Sequence, residues 1–268
     1  MARRVLITGL DSFWGGRMAQ ALESDPDVEM ILGMGTREPS VALERAEFVR
    51  ADETYSILSR IVRATQVDTI VHTFLVVDST RVSGREMHEI NVIGTMNLLA
   101  AAGQPGSPVR QVVVKSSTLV YGSAPTDPMW FREETSRTSP ARTRVERSLI
   151  EVEGYVRDFA EDNPSTVVTL LRFANVLGTN IVTPISSNLS RPWCPSVDGY
   201  DPLLQFVEEG DVVAAWSTLR TTASAASTTS QERSSCPGAR SRRSAEPAAC
   251  TCLRLRHVPW PRRSFAWG

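Results

Sequence analysis

Lysine is nearly missing from this sequence: of its 29 basic residues only Lys115 is a lysine, so chemistry that needs an ammonium group at any other position is excluded. Cysteine is scarce as well. Of the four, Cys236, Cys250 and Cys252 crowd near the C-terminus, which gives no disulfide framework. Cys250 and Cys252 with His257 lack a second ligand pair, so no metal site is expected. No apolar run reaches the length of a membrane span, and no membrane partner is expected. The apolar stretch after Arg3-Arg4 is too short for a secretory signal, which makes the cytoplasm the expected location.

What is present is an alternation of short apolar runs and amphipathic segments. Val5–Ile7, Met30–Leu32, Glu47–Arg50, Thr69–His72, Gln111–Val114 and Val167–Phe173 read as strands. Helical spacing separates them, most clearly over Val145, Leu149, Val152, Val156 and Phe159. Apolar strands alternating with helices predict an α/β fold, a doubly wound parallel sheet of order 3-2-1-4-5-6 with further strands beyond it. The helical periodicity ends after about Ala215.

The turn after the first strand is Gly9-Leu10-Asp11-Ser12-Phe13-Trp14-Gly15. Glycines between a strand and a helix let backbone N–H groups approach a pyrophosphate; the alternative is an ordinary glycine-bearing turn. The spacing resembles the Gly-x-x-Gly-x-x-Gly of the extended short-chain dehydrogenase/reductases, the NAD-dependent epimerase/dehydratases, with Ser12 at the central glycine. Asn91-Val-Ile-Gly-Thr95 is similar to that family's Asn-Val-x-Gly-Thr helix. Ser116-Ser-Thr-Leu-Val-Tyr-Gly122 resembles its Ser-Ser-x-x-Val-Tyr-Gly segment, and Leu171–Gly178 its Leu-Arg-x-x-Asn-x-x-Gly stretch. The matches run in order over about residues 4–215.

The resemblance implies a Rossmann domain over residues 1–182, the start of a substrate lobe over 183–215, and NAD or NADP as cofactor. It places Gly9, Ser12, Phe13, Trp14, Gly15, Asp52, Asn91, Ser116, Arg172 and Asn175 against that cofactor. An acid at the end of the second strand ordinarily holds the ribose of NAD, but here Gly35 stands there. Arg37 either faces the 2′-phosphate of NADP or is a solvated loop residue. A nucleotide sugar is the implied substrate. Pairing into a homodimer through a helix bundle is also implied, with the Val145–Phe159 helix as the candidate; its apolar face equally suits the core.

Catalysis is where the resemblance breaks. The family uses a Tyr as acid/base, a Lys four residues later that lowers the phenol's pKa, and a Ser or Thr. Ser117 matches the third member, or is simply a strand-end hydroxyl. The pair falls on Thr143 and Arg147 or on Val145 and Leu149, and neither choice holds a phenol. Three functions follow: an epimerase-like oxidoreductase, a non-catalytic cofactor-binding or regulatory protein, or a decayed gene product.

Residues 217–268 carry nine Arg against two acidic residues, in a Ser-, Thr-, Ala- and Pro-rich stretch. A nucleic-acid-binding arm is the weaker explanation, because the arginines form no periodic stripe, and no nucleic-acid partner is expected. A shifted reading frame explains residues 216–268 better and leaves them without packing. Codons chosen for Trp216–Glu232 and read one nucleotide earlier encode Val-Glu-His-Ala-Ala-Asn-Asp-Gly-Leu-Ser-Gly-Val-Tyr-Asn-Val-Ala-Gly, which resembles the family's next helix and strand. Sequencing the gene tests this: DNA with a family-like frame after one lost base near codon 216 is the expected result, and DNA without it defeats the idea.

Overall fold

Val5, Leu6 and Ile7 are buried on both faces of their strand, which places it inside the sheet rather than at an edge. The computed structural model describes residues 2–77, 82–124, 126–128, 130–179, 181–190, 204–222 and 231–232. Its first compact unit comprises residues 1–173 and 213–235. In chain order this unit has β1 (Arg3–Thr8), α1 (Phe13–Glu23), β2 (Val28–Gly35), β3 (Glu47–Arg50), α2 (Tyr55–Thr65) and β4 (Thr69–His72). Then come α3 (Gly84–His88), a π-helical turn (Glu89–Ile93), α4 (Gly94–Ala102), β5 (Gln111–Ser117), a 3-10 turn (Thr118–Tyr121), α5 (Arg144–Asp162) and β6 (Val167–Phe173).

The sheet has the expected parallel order, β3-β2-β1-β4-β5-β6, and a short seventh strand pairs beyond β6. Helices α2, α4 and α5 cover one face. The apolar side of α5 (Val145, Leu149, Val152, Val156 and Phe159) is buried in the same core as Leu6, Ile70, Val112 and Val114. That face is core packing, so it is not the surface on which a second copy would bundle. Thr143 caps α5: its hydroxyl accepts from the Glu146 amide at 3.1 Å and donates to the Glu146 carboxylate at 3.0 Å.

The second unit, whose described residues lie within 174–212, holds β7 (Asn175–Leu177), α6 (Pro184–Leu189) and β8 (Phe206–Glu208), with β7 and β8 in parallel. The helix that begins there, α7 (Glu209–Thr222), continues past Ala215, where the apolar periodicity stops. The seventh strand of the first sheet is β9 (Gln231–Glu232). The remaining residues of the proposed tail, including Cys236, Cys250, Cys252 and His257, lie outside the described residues.

His72 ties the sheet to α4. Fully buried, it lies 2.6 Å from the Thr8 hydroxyl through Nδ1 and 3.0 Å from the Thr95 hydroxyl through Nε2. Burial, assisted by the charge of Lys115, pushes its pKa down to about 4, so the ring is neutral at pH 7. Lys115 itself is buried in β5, with no carboxylate partner among the described residues, and burial pushes its pKa down to about 8. Below 8 the folded chain carries a desolvated cation that the unfolded chain keeps in water. Between about 8 and 10.5 only the folded chain gives up the proton, so the penalty fades as pH rises. The Lys115→Met variant is therefore expected to be more stable in urea at pH 7 by roughly 2 kcal/mol, with the gap narrowing above pH 8. An unchanged or lower stability at pH 7 would refute the reading.

Candidate functional site

The C-terminal ends of β1, β2 and β3 carry a closely built loop. Gly9 has φ +72°, and a side chain there would run into Phe74 at 2.7 Å. Gly15, in the first turn of α1, passes so near the Gly9 carbonyl that an added Cβ would overlap it. The loop is tied to β2 by the Leu10 amide, which donates to the Met34 carbonyl at 2.9 Å. Ser12 is the N-cap of α1: its hydroxyl accepts from the Gly15 amide at 3.0 Å and lies 3.3 Å from the Thr73 hydroxyl. The serine oxygen is thus turned into the helix end. Phe13 and Trp14 follow as an edge-to-face pair, centroids 5.0 Å apart.

Two acids that sequence reasoning left out of the binding set meet this loop. Asp11 has a side chain only 4% exposed; its Oδ2 accepts from the Thr36 hydroxyl and the Arg37 amide, each at 3.2 Å, while Oδ1 has no partner. Glu53, after β3, is also buried at Oε2 without a partner, and its pKa is pushed up to about 8 by burial and then by the charges of Asp11 and Asp52. Asp52 beside it is exposed. Arg37 is highly exposed and its Nε lies 3.7 Å from Asp11. The signal that could have found Asp11 was its place between Gly9 and Gly15, opposite the acid missing at Gly35.

At β5 and β6, residues expected at the cofactor are engaged with other side chains. Glu153 of α5 gathers Ser116, whose hydroxyl donates at 2.5 Å, and Arg172, which donates through Nε at 3.0 Å and Nη2 at 2.6 Å. Arg172 also donates through Nη1 to the Tyr121 hydroxyl at 2.9 Å and the Glu133 carbonyl at 3.0 Å. A buried guanidinium this fully engaged is held protonated, and Arg172 and Ser116 tie α5 to β5 and β6. Tyr121, buried and stacked on Phe131, belongs to the same cluster. Asn91 is likewise engaged: it accepts from the Val76 amide at 2.8 Å and donates to the Val76 carbonyl at 2.9 Å and the Ser148 hydroxyl at 3.0 Å. It fixes the segment after β4 to α5.

Ser117 ends β5 and its hydroxyl accepts from the Leu119 amide at 3.3 Å, capping the 3-10 turn. Asn175 lies in the second unit, where it donates to the Gln205 carbonyl at 3.4 Å. Of the two positions considered for the missing pair, Thr143 is the cap of α5 and Arg147 is exposed, while Val145 and Leu149 are core residues. Glu153 extends that line at the same four-residue step. An acid on an otherwise apolar helix face was the signal that this residue was missed.

A glycine-rich turn between the first strand and first helix of a 3-2-1-4-5-6 parallel sheet defines a Rossmann-type domain. The profile of the NAD dependent epimerase/dehydratase family matches residues 5–192, and the chain belongs to that family. An uncharacterized protein of Mycobacterium tuberculosis is 36% identical over 216 residues, which make up 79% of this chain and 57% of that one. The chain thus spans little more than half the length of the curated relatives it matches. Among solved structures, a UDP-glucose 4-epimerase from Thermotoga maritima with UDP-glucose is similar at TM-score 0.64 and 19% identity, covering 79% of this chain and 71% of that one. A dTDP-glucose 4,6-dehydratase from Streptomyces venezuelae with NAD bound matches at TM-score 0.65 and 24% identity, over 81% and 71%.

Replacing Glu153 by Ala strands the Arg172 cation in the core. Urea unfolding is expected to show a loss of about 3 kcal/mol, while the double variant Glu153→Leu with Arg172→Met recovers most of it. A single-variant loss under about 1 kcal/mol would mean that the pair does not hold α5 to the sheet.

Proposed function

We propose that this chain is an NAD-binding member of its family in which turnover through the tyrosine–lysine route has been lost. The observation that carries the reading is the pair Val145 and Leu149, apolar and buried at one candidate position for the acid/base couple, with Thr143 and Arg147, which supply no phenol, at the other. Gly9, Ser12 and Gly15 would hold the pyrophosphate at the start of α1, with Phe13 and Trp14 beside it, and Asp52 would lie near the adenine. The buried, unpartnered oxygen of Asp11 suits a ligand that brings hydroxyl donors. When bound, NAD supplies a hydride acceptor. Removing a hydride from a sugar carbon also requires a group that takes the proton from its hydroxyl. Arg147 cannot serve, and Lys115 is enclosed in β5.

The related solved structures contain UDP-glucose in one case and NAD in the other, which supports a nucleotide sugar as the ancestral ligand class. No helix among the described residues is long and apolar enough to cross a membrane.

Calorimetric titration of the full chain with NAD tests the cofactor reading. Micromolar affinity is expected, falling by about tenfold or more in Gly15→Val, whose side chain cannot fit against the Gly9 carbonyl. Absence of heat with NAD, NADH, NADP and NADPH alike would defeat it.

A further inference from the structure

The end of β2 has no acid. Gly35 occupies the place from which a carboxylate ordinarily reaches the adenine-side ribose. A carboxylate is nonetheless there, brought from another element. The unpartnered Oδ1 of Asp11 sits so close to Gly35 that a Cβ on that glycine would meet it at 2.6 Å. A side chain at residue 35 and an acid at residue 11 exclude each other, so the pair Asp11 and Gly35 is one arrangement. The Thr36 hydroxyl and Arg37 amide steady Oδ2, which fixes the direction of the group.

We infer that Asp11, from the glycine-rich loop, has taken over the ribose-binding acid of this site and makes it selective for NAD over NADP. The inference rests on the cofactor reading above. A vicinal diol offers two O–H donors to a carboxylate that has acceptor capacity to spare. A 2′-phosphate offers further negative charge and acceptors only, and places them against a buried anion. Arg37 does not reverse the balance. It is 83% exposed and only approaches Asp11 from solvent at 3.7 Å, where its charge is screened.

The test is the ratio of NADP to NAD dissociation constants for the full chain and three variants, each checked for folding by circular dichroism. The unaltered chain is expected to favour NAD by about tenfold or more, since like charge across a binding site is strongly discriminated against. Asp11→Asn, the same shape without the charge, should bring the ratio near one. Asp11→Ser should do the same if Asn disturbs the loop, and Arg37→Gln should leave the ratio at the wild-type value. Dinucleotide binding with an unchanged ratio in both Asp11 variants overturns this inference alone. So does a preference for NADP that vanishes in Arg37→Gln, which would make Arg37 the selecting group. Absence of binding to either dinucleotide overturns the cofactor reading and this inference with it.

Discussion

One buried carboxylate, that of Glu153, determines where α5 lies. Ser116 from β5 and Arg172 from β6 both donate to it, and Arg172 reaches on to Tyr121 and the Glu133 carbonyl. Taking an acid and a guanidinium out of water costs several kcal/mol for each ion, recovered only where every donor and acceptor is met. Here the geometry meets that condition, and the helix has one rotation that satisfies it. With Glu153 fixed, Leu149 and Val145 fall one and two helical steps back along the same face, into the core. Along that face α5 is a packing element.

The other end of the sheet follows a different logic. Gly9 and Gly15 bring the first strand and first helix within touching distance, and Ser12 engages an amide that would otherwise be open. Asp11 and Glu53 keep buried oxygens without partners, which is a cost the fold carries unless something binds. The cluster of Glu153, Ser116 and Arg172 is satisfied internally, whereas Asp11 and Glu53, beside the glycine-rich loop, each keep an oxygen without a partner.

Most of the fold was legible because its strands are short apolar runs bounded by glycine or polar residues. Glu47–Arg50 was bounded correctly even though only two of its four residues are apolar. The site was legible only in part. Motif resemblance identifies residue types and order, but not the direction in which a side chain turns. Arg172, Ser116 and Asn91 were placed against the cofactor by resemblance, while the bonds they make to Glu153, Val76 and Ser148, separated in sequence, show only in the structure. Asp11 was not singled out because nothing in the sequence shows that its side chain turns toward Gly35. α7 outlasts its apolar pattern because a helix already begun extends by adding one hydrogen bond per residue, without a new nucleus.

The central claim is that this chain holds NAD but has no tyrosine–lysine pair on α5 to take a proton from a sugar. Its most direct test is to load the full chain with NAD, add UDP-glucose or dTDP-glucose, and follow NADH absorbance together with the identity of the sugar. The account predicts a bound cofactor, no NADH and an unaltered sugar. Formation of NADH, or recovery of an epimerised or dehydrated sugar above the rate without protein, would contradict it.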